Sequence, residues 1–198
     1  MSFVAGFYTF FIELNDTEKG IYDNIKQRSF RHIDEEADFF FARHLAYCHS
    51  YTEGLELLAD ASNPSSPIFK RTNPSLVTDI LGYLGSVDVK DIRHSRKSSR
   101  HTKTIVYFFS SEQIDRFCHH LRGATENWVE GVEFYFLDAK ILNWLTDHDS
   151  TRAYWNLTIT DRSSIYLTIQ TPTPSTFASE ITMIDIWQEY QKILQRDK

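Results

Sequence analysis

The sequence predicts a mixed α/β domain, a mixed sheet flanked by helices, and three observations predict it. Residues 3–14 are strand-like and rich in aromatics, and residues 21–31 alternate apolar and polar side chains for part of their length. Between them lies the turn-forming Asn15-Asp16-Thr17-Glu18-Lys19-Gly20, so a β-hairpin is expected. The run Thr104-Ile105-Val106-Tyr107-Phe108-Phe109 is apolar, β-branched and aromatic, which suits a central parallel strand. From residue 76 to 145 strand-like and helix-like segments alternate, which implies parallel pairing through helical crossovers.

The other elements follow in order. Ile33-Asp34-Glu35-Glu36 places carboxylates in the first turn of a helix running to about His49, with Asp34 as its N-cap. Residues 55–59 form a short strand. Residues 61–75 hold three of the five prolines and read as a loop. Residues 76–84 read as a strand interrupted by Asp79 and Gly82. Asp88 caps a basic helix over about 89–99, with Asp91 three residues on. Ser110 or Ser111 caps a helix over about 112–122, residues 131–136 form a strand, and Asp138 caps a helix to about Leu145. Residues 154–160 and 165–171 pair as antiparallel strands. Residues 180–187 are assigned to a strand, and the polar tail 189–198 is helical or frayed.

Composition limits the function classes. The 198 residues suit a single domain spanning 1–198. A hydrophobic fraction of 41% and a net charge of -6 exclude a disordered chain. No apolar run approaches the ~18 residues of a membrane span, and the start lacks a secretory signal pattern. A cytoplasmic protein with no membrane partner is expected. Cys48 and Cys118 supply neither a disulfide framework nor a zinc spacing, and read as buried thiols. P-loop, dinucleotide-binding and nucleophile-elbow motifs are absent from the sequence.

The charge is unevenly placed. Between Asp88 and Lys103 stand Lys90, Arg93, Arg96, Lys97, Arg100 and Lys103 against only Asp88 and Asp91, a net +4. Such a segment can contact phosphates, or it can be a solvated helix face. The 15 Phe, 10 Tyr and 4 Trp fall mostly in predicted strands and amphipathic faces, where they read as core rather than as base-stacking surface.

Several stretches together resemble the YaeQ family. They are Phe30-Arg31-His32-Ile33-Asp34-Glu35 with Arg43-His44-Leu45-Ala46-Tyr47, the opening strand from Phe7 to Asp16, and Tyr51 to Leu57. Leu84-Gly85-Ser86-Val87-Asp88 with Ile92-Arg93, Phe136-Leu137-Asp138, and the 155–167 hairpin complete the set. The resemblance covers roughly residues 3–187 and implies a PD-(D/E)XK, restriction-endonuclease-like core.

In nucleases of that fold a helix Glu, two strand carboxylates and a Lys hold magnesium or manganese and activate water. Carried over by position, the resemblance puts the helix Glu at Glu35 and the basic residue at Arg93. The two central acidic positions fall on Ile68 and Tyr83, neither of which is a metal ligand of that kind. Asp79 shares a strand face with Tyr83 and is the one rescue. Glu35 is either a ligand or an electrostatic partner of the helix start, and Arg43 pairs with a carboxylate or with a ligand phosphate. His32 reads as a hydrogen-bonded structural residue.

Three functions are therefore set against each other. The first is a binding or regulatory module with a degenerate metal site, touching nucleic acid through Lys90, Arg93, Arg96, Lys97 and Arg100. The second is an active nuclease with Glu35 and Asp79 as metal ligands and Arg93 in the Lys role. The third is a scaffold for unidentified protein partners.

Overall fold

The computed structural model describes residues 5–58, 66–75, 77–98, 102–121, 131–160, 164–170 and 174–196, with 95–98 described in backbone only. Along the chain the elements are β1 (Gly6–Asp16), β2 (Ile21–Arg31), α1 (Ala37–His49), β3 (Leu55–Leu57), β4 (Phe69–Thr72) and β5 (Thr78–Leu84). Then come α2 (Val89–Ser98), β6 (Lys103–Phe108), α3 (Ser111–His120), β7 (Val132–Leu137) and α4 (Ala139–Asp147). The last are β8 (Arg152–Ile159), β9 (Ser164–Ile169), β10 (Ser175–Met183) and α5 (Ile186–Arg196). The fold is mixed α/β, and the backbone gathers into two compact units. One comprises Met1–Ser50 and Asp138–Thr182, the other Tyr51–Leu137 and Met183–Lys198. Among the described residues, no helix is long and apolar enough to cross a membrane.

In the first unit the strands lie in the order β2-β1-β8-β9-β10. The predicted hairpin forms in full: β1 and β2 pair antiparallel from Gly6↔Arg31 to Asp16↔Ile21. β1 then pairs parallel with β8, and β8, β9 and β10 are antiparallel. Strand alternation sends Tyr8, Phe10, Ile12 and Leu14 to one face, together with Trp155 and Leu157, and all six are buried. Helix α1 covers that face: Phe40 meets Tyr8 and Phe10, and Phe41 meets Trp155. Every residue of α1 from Phe40 to His49 is buried.

In the second unit the order is β7-β6-β5-β4-β3. The run at 104–109 becomes β6, parallel to both neighbours as expected. Tyr83, Val106, Phe108, Phe117, Phe134 and Ile186 belong to one apolar cluster, to which α2 adds Val89 and Ile92. Side-chain caps start α2 and α3 here and α4 in the first unit. Asp88 accepts from the Lys90 amide at 2.8 Å, Ser110 from the Gln113 amide, and Asp138 from the Lys140 amide at 2.9 Å.

Three local expectations need correction. Helix α1 begins at Ala37 rather than near Ile33, and Asp34 is not its N-cap. The reason is tertiary: Arg31 and Arg43 engage Glu35 and hold the preceding turn out of the helix. Within the expected loop, Phe69–Thr72 forms β4, because Phe69 pairs opposite Gly82 and its ring occupies the space a Cβ there would need. The strand expected at 180–187 spans Ser175–Met183, and Asp185 then starts α5 by accepting from the Trp187 and Gln188 amides at 3.0 and 3.1 Å.

Candidate functional site

Glu35 sits in the link between β2 and α1. Its Oε1 lies 2.8 Å from Arg43 Nε, and the two side chains are only 6% and 1% exposed. Arg43 also donates to the Phe30 carbonyl at 3.1 Å and stands over the Phe40 ring. Arg31 donates from Nε and Nη2 to the Glu35 carbonyl at 3.3 and 3.2 Å, and pairs with Asp149, which accepts from the Tyr8 hydroxyl. Two buried arginines thus clamp one short turn. Burial pulls the Arg43 pKa down, and the Glu35 carboxylate opposes that shift. A charged arginine with a carboxylate beside it is the self-consistent state.

His44 is one residue on and fully buried. Its Nδ1 donates to the Phe40 carbonyl at 2.6 Å, so Nε2 accepts from the Ser29 hydroxyl at 2.9 Å. Burial, then the neighbouring Arg43 charge, hold its pKa well below the usual histidine range. The ring is neutral and structural. The exposed His32 places its ring edge-on to Phe30, and its amide donates to Glu35 Oε2 at 3.4 Å.

The other predicted residues belong to the second unit. Asp79 receives two hydrogen bonds from Arg71, Nε to Oδ1 at 3.0 Å and Nη2 to Oδ2 at 2.8 Å. These bonds lower its pKa. The same strand face continues through Leu81 and Tyr83 into the apolar cluster. Tyr83 is 3% exposed and Ile68 2%. Both positions border Gly82, whose carbonyl accepts from the Ile68 amide at 2.7 Å. Both residues are therefore buried beside Gly82, and Tyr83 lies in the apolar cluster. Among the described residues, no three His, Cys, Asp or Glu side chains gather as a metal centre needs.

Helix α2 buries Val89 and Ile92 and exposes Lys90 and Arg93. The side chains of Arg96 and Lys97, and the whole of Arg100, lie outside the described residues. Lys103, at the start of β6, is tied to Glu133 at 2.9 Å. Cys48 and Cys118 are buried free thiols whose pKa is pushed up to about 12 by burial, which makes them unreactive.

One group of surface residues was not singled out from the sequence. On the face of the first sheet opposite α1, Phe11 and Tyr154 stack at 4.7 Å between centroids. Lys26 stands over Phe11 and Arg28 over Phe7. The signal was in the first strand, where Phe7-Tyr8-Thr9-Phe10-Phe11 puts aromatics at both odd and even positions. A strand with one buried face needs only one of those two sets for the core.

A family model described as YaeQ protein matches residues 1–176. The crystal structure of YaeQ protein from Pseudomonas syringae is similar, with a TM-score of 0.73 at 18% identity, covering 91% of this chain and 96% of that one. The crystal structure of YaeQ protein from Xanthomonas axonopodis pv. citri has a TM-score of 0.74 at 17% identity, covering 91% of this chain and 97% of that one. No curated protein matches.

Proposed function

The chain belongs to the YaeQ family, and on that premise we propose that it is a binding or regulatory module of nuclease-like fold whose metal centre is degenerate. One observation carries this reading: Ile68 and Tyr83, where the resemblance expects acidic ligands, are both buried beside Gly82, Tyr83 within the apolar cluster. Magnesium and manganese need hard oxygen ligands and retained water. An alkyl group and a phenol packed among apolar side chains do not meet that need. The remaining candidates, Glu35 and Asp79, are each already held by an arginine. The residues present do not fit the metal, and no catalytic step is assigned to it.

Binding is assigned to α2, whose exposed Lys90 and Arg93 suit phosphate contacts. Calorimetry with magnesium and with manganese should show no association tighter than millimolar, and DNA and RNA substrates should stay intact. Metal-dependent cleavage that disappears in both Glu35→Ala and Asp79→Asn proteins would overturn the reading in favour of an active nuclease. Exchanging Lys90 and Arg93 together for Glu should weaken duplex binding and flatten its salt dependence. An unchanged salt slope would remove α2 from the contact.

A further inference from the structure

We propose that the open face of the first sheet is a binding platform for single-stranded nucleic acid. The registers place its outward side chains in cross-strand rows. Arg28, Thr9 and Arg152 form one row, and Lys26, Phe11 and Tyr154 the next. Phe7 faces Phe30 at the end of β1, and Thr158 faces Tyr166 further along. Phe7 is 58% exposed, Tyr166 46% and Tyr154 40%. This contrasts with the other face of the same strands, whose aromatics are fully covered by α1.

Three physical features select the occupant. First, exposed rings on adjacent strands offer stacking surface, and every base has a flat face to set against them. Second, the rings are interleaved with cations. Lys26 lies 5.5 Å from the Phe11 centroid and Arg28 lies 4.3 Å from that of Phe7. Against Lys26, Arg28 and Arg152 the described residues of this face set two carboxylates. Glu13 accepts from Asn156 at 3.0 Å, and Glu180 is on β10, away from the cations on β2 and β8. Within a chain of net charge -6, this local positive balance draws a polyanion to the rings. Third, a depression of about 250 Å³ opens beside the stacked pair, lined by Glu13, Asn24, Lys26 and Gln170 with Phe11 and Tyr154. Amide, ammonium and carboxylate groups there can meet the hydrogen-bonding edge of a base. A protein-docking patch would instead concentrate apolar groups and exclude charge at its centre. A duplex presents no free base face to stack.

This platform is separate from α2 and does not rest on it. The test uses the full chain and fluorescence anisotropy at low salt, with a labelled oligothymidine, an oligouridine and a blunt duplex. Single strands should bind more tightly than the duplex. Tyr154→Ala should weaken single-strand binding by ~5–150-fold, the range of one lost base stack, and Tyr154→Phe should restore it. Lys26→Glu with Arg28→Glu should weaken it and reduce its salt dependence. Exchanging Lys90 and Arg93 for Glu should leave the Tyr154 effect intact. Absence of single-strand binding, equal binding of the duplex, or undiminished binding by a folded Tyr154→Ala protein would each overturn the proposal. So would an oligomer of the chain that dissociates in the Tyr154→Ala protein, since the face would then dock a second copy.

Discussion

Each unit pairs one of the acidic candidates with an arginine, and the two pairs reside in different media. Asp79 and Arg71 have the better geometry, two parallel hydrogen bonds, but both side chains remain open to water. Glu35 and Arg43 meet less symmetrically, yet both are nearly sealed from solvent. Water can replace either partner of the first pair. Nothing replaces a partner of the second, so the weaker-looking contact holds the larger energetic stake. The difference teaches that burial, more than hydrogen-bond geometry, sets how much a charge pair matters to the fold.

The comparison makes graded predictions. Arg43→Met should cost about 3–5 kcal/mol, the usual effect of stranding one member of a buried pair, and lower the melting temperature by roughly 6–20 °C. Adding Glu35→Gln should recover part of that loss in a double-mutant cycle. A loss below about 1 kcal/mol for Arg43→Met would abolish the distinction between the pairs.

The next effect belongs to His44 in the same helix. Its folded pKa is depressed, so its contribution is present above the unfolded value of about 6.5 and is lost as pH falls from there towards the folded value. The slope from this one group reaches about 1.4 kcal/mol per pH unit. Denaturant unfolding from pH 7 to 5 should show it in the wild type and not in His44→Gln. Parallel curves would place the titration elsewhere.

The smallest effect is expected for Asp79→Asn, about 0.2–1 kcal/mol, because its pair is solvated. Here too the folded pKa is lowered, so the stabilisation holds above the ordinary Asp range and disappears as pH falls through the lower folded value. A loss of several kcal/mol in a urea titration would show that solvent access overstates how replaceable this pair is.

Much of the fold was legible in the sequence because its signals are local. The hairpin, the parallel strand at 103–108 and the caps at Asp88, Ser110 and Asp138 depend on neighbours within a few residues. The late start of α1 was not legible, since it depends on Arg31 and Arg43 converging on Glu35. β4 was hidden by the surrounding prolines and by a glycine ten residues or more away, against which Phe69 packs. The residue types at 68 and 83, an Ile and a Tyr, were legible in the sequence, but their burial at 2% and 3% exposure was not. The outward aromatics were missed because residue type alone does not say which face of a strand is covered.

The parallel pairing of β1 with β8 joins Thr9 to Arg152, across most of the chain. At synthesis rates of roughly 5–20 residues per second, the partner strand arrives on the order of ten seconds after β1. During that interval α1 can already cover Tyr8 and Phe10, but the edge of β1 that β8 will pair stays open. The opening hairpin and α1 therefore leave the ribosome with one strand edge unpaired, a row of backbone donors and acceptors open to other extended chain. How long that edge stays open is set by the order in which the strands are made.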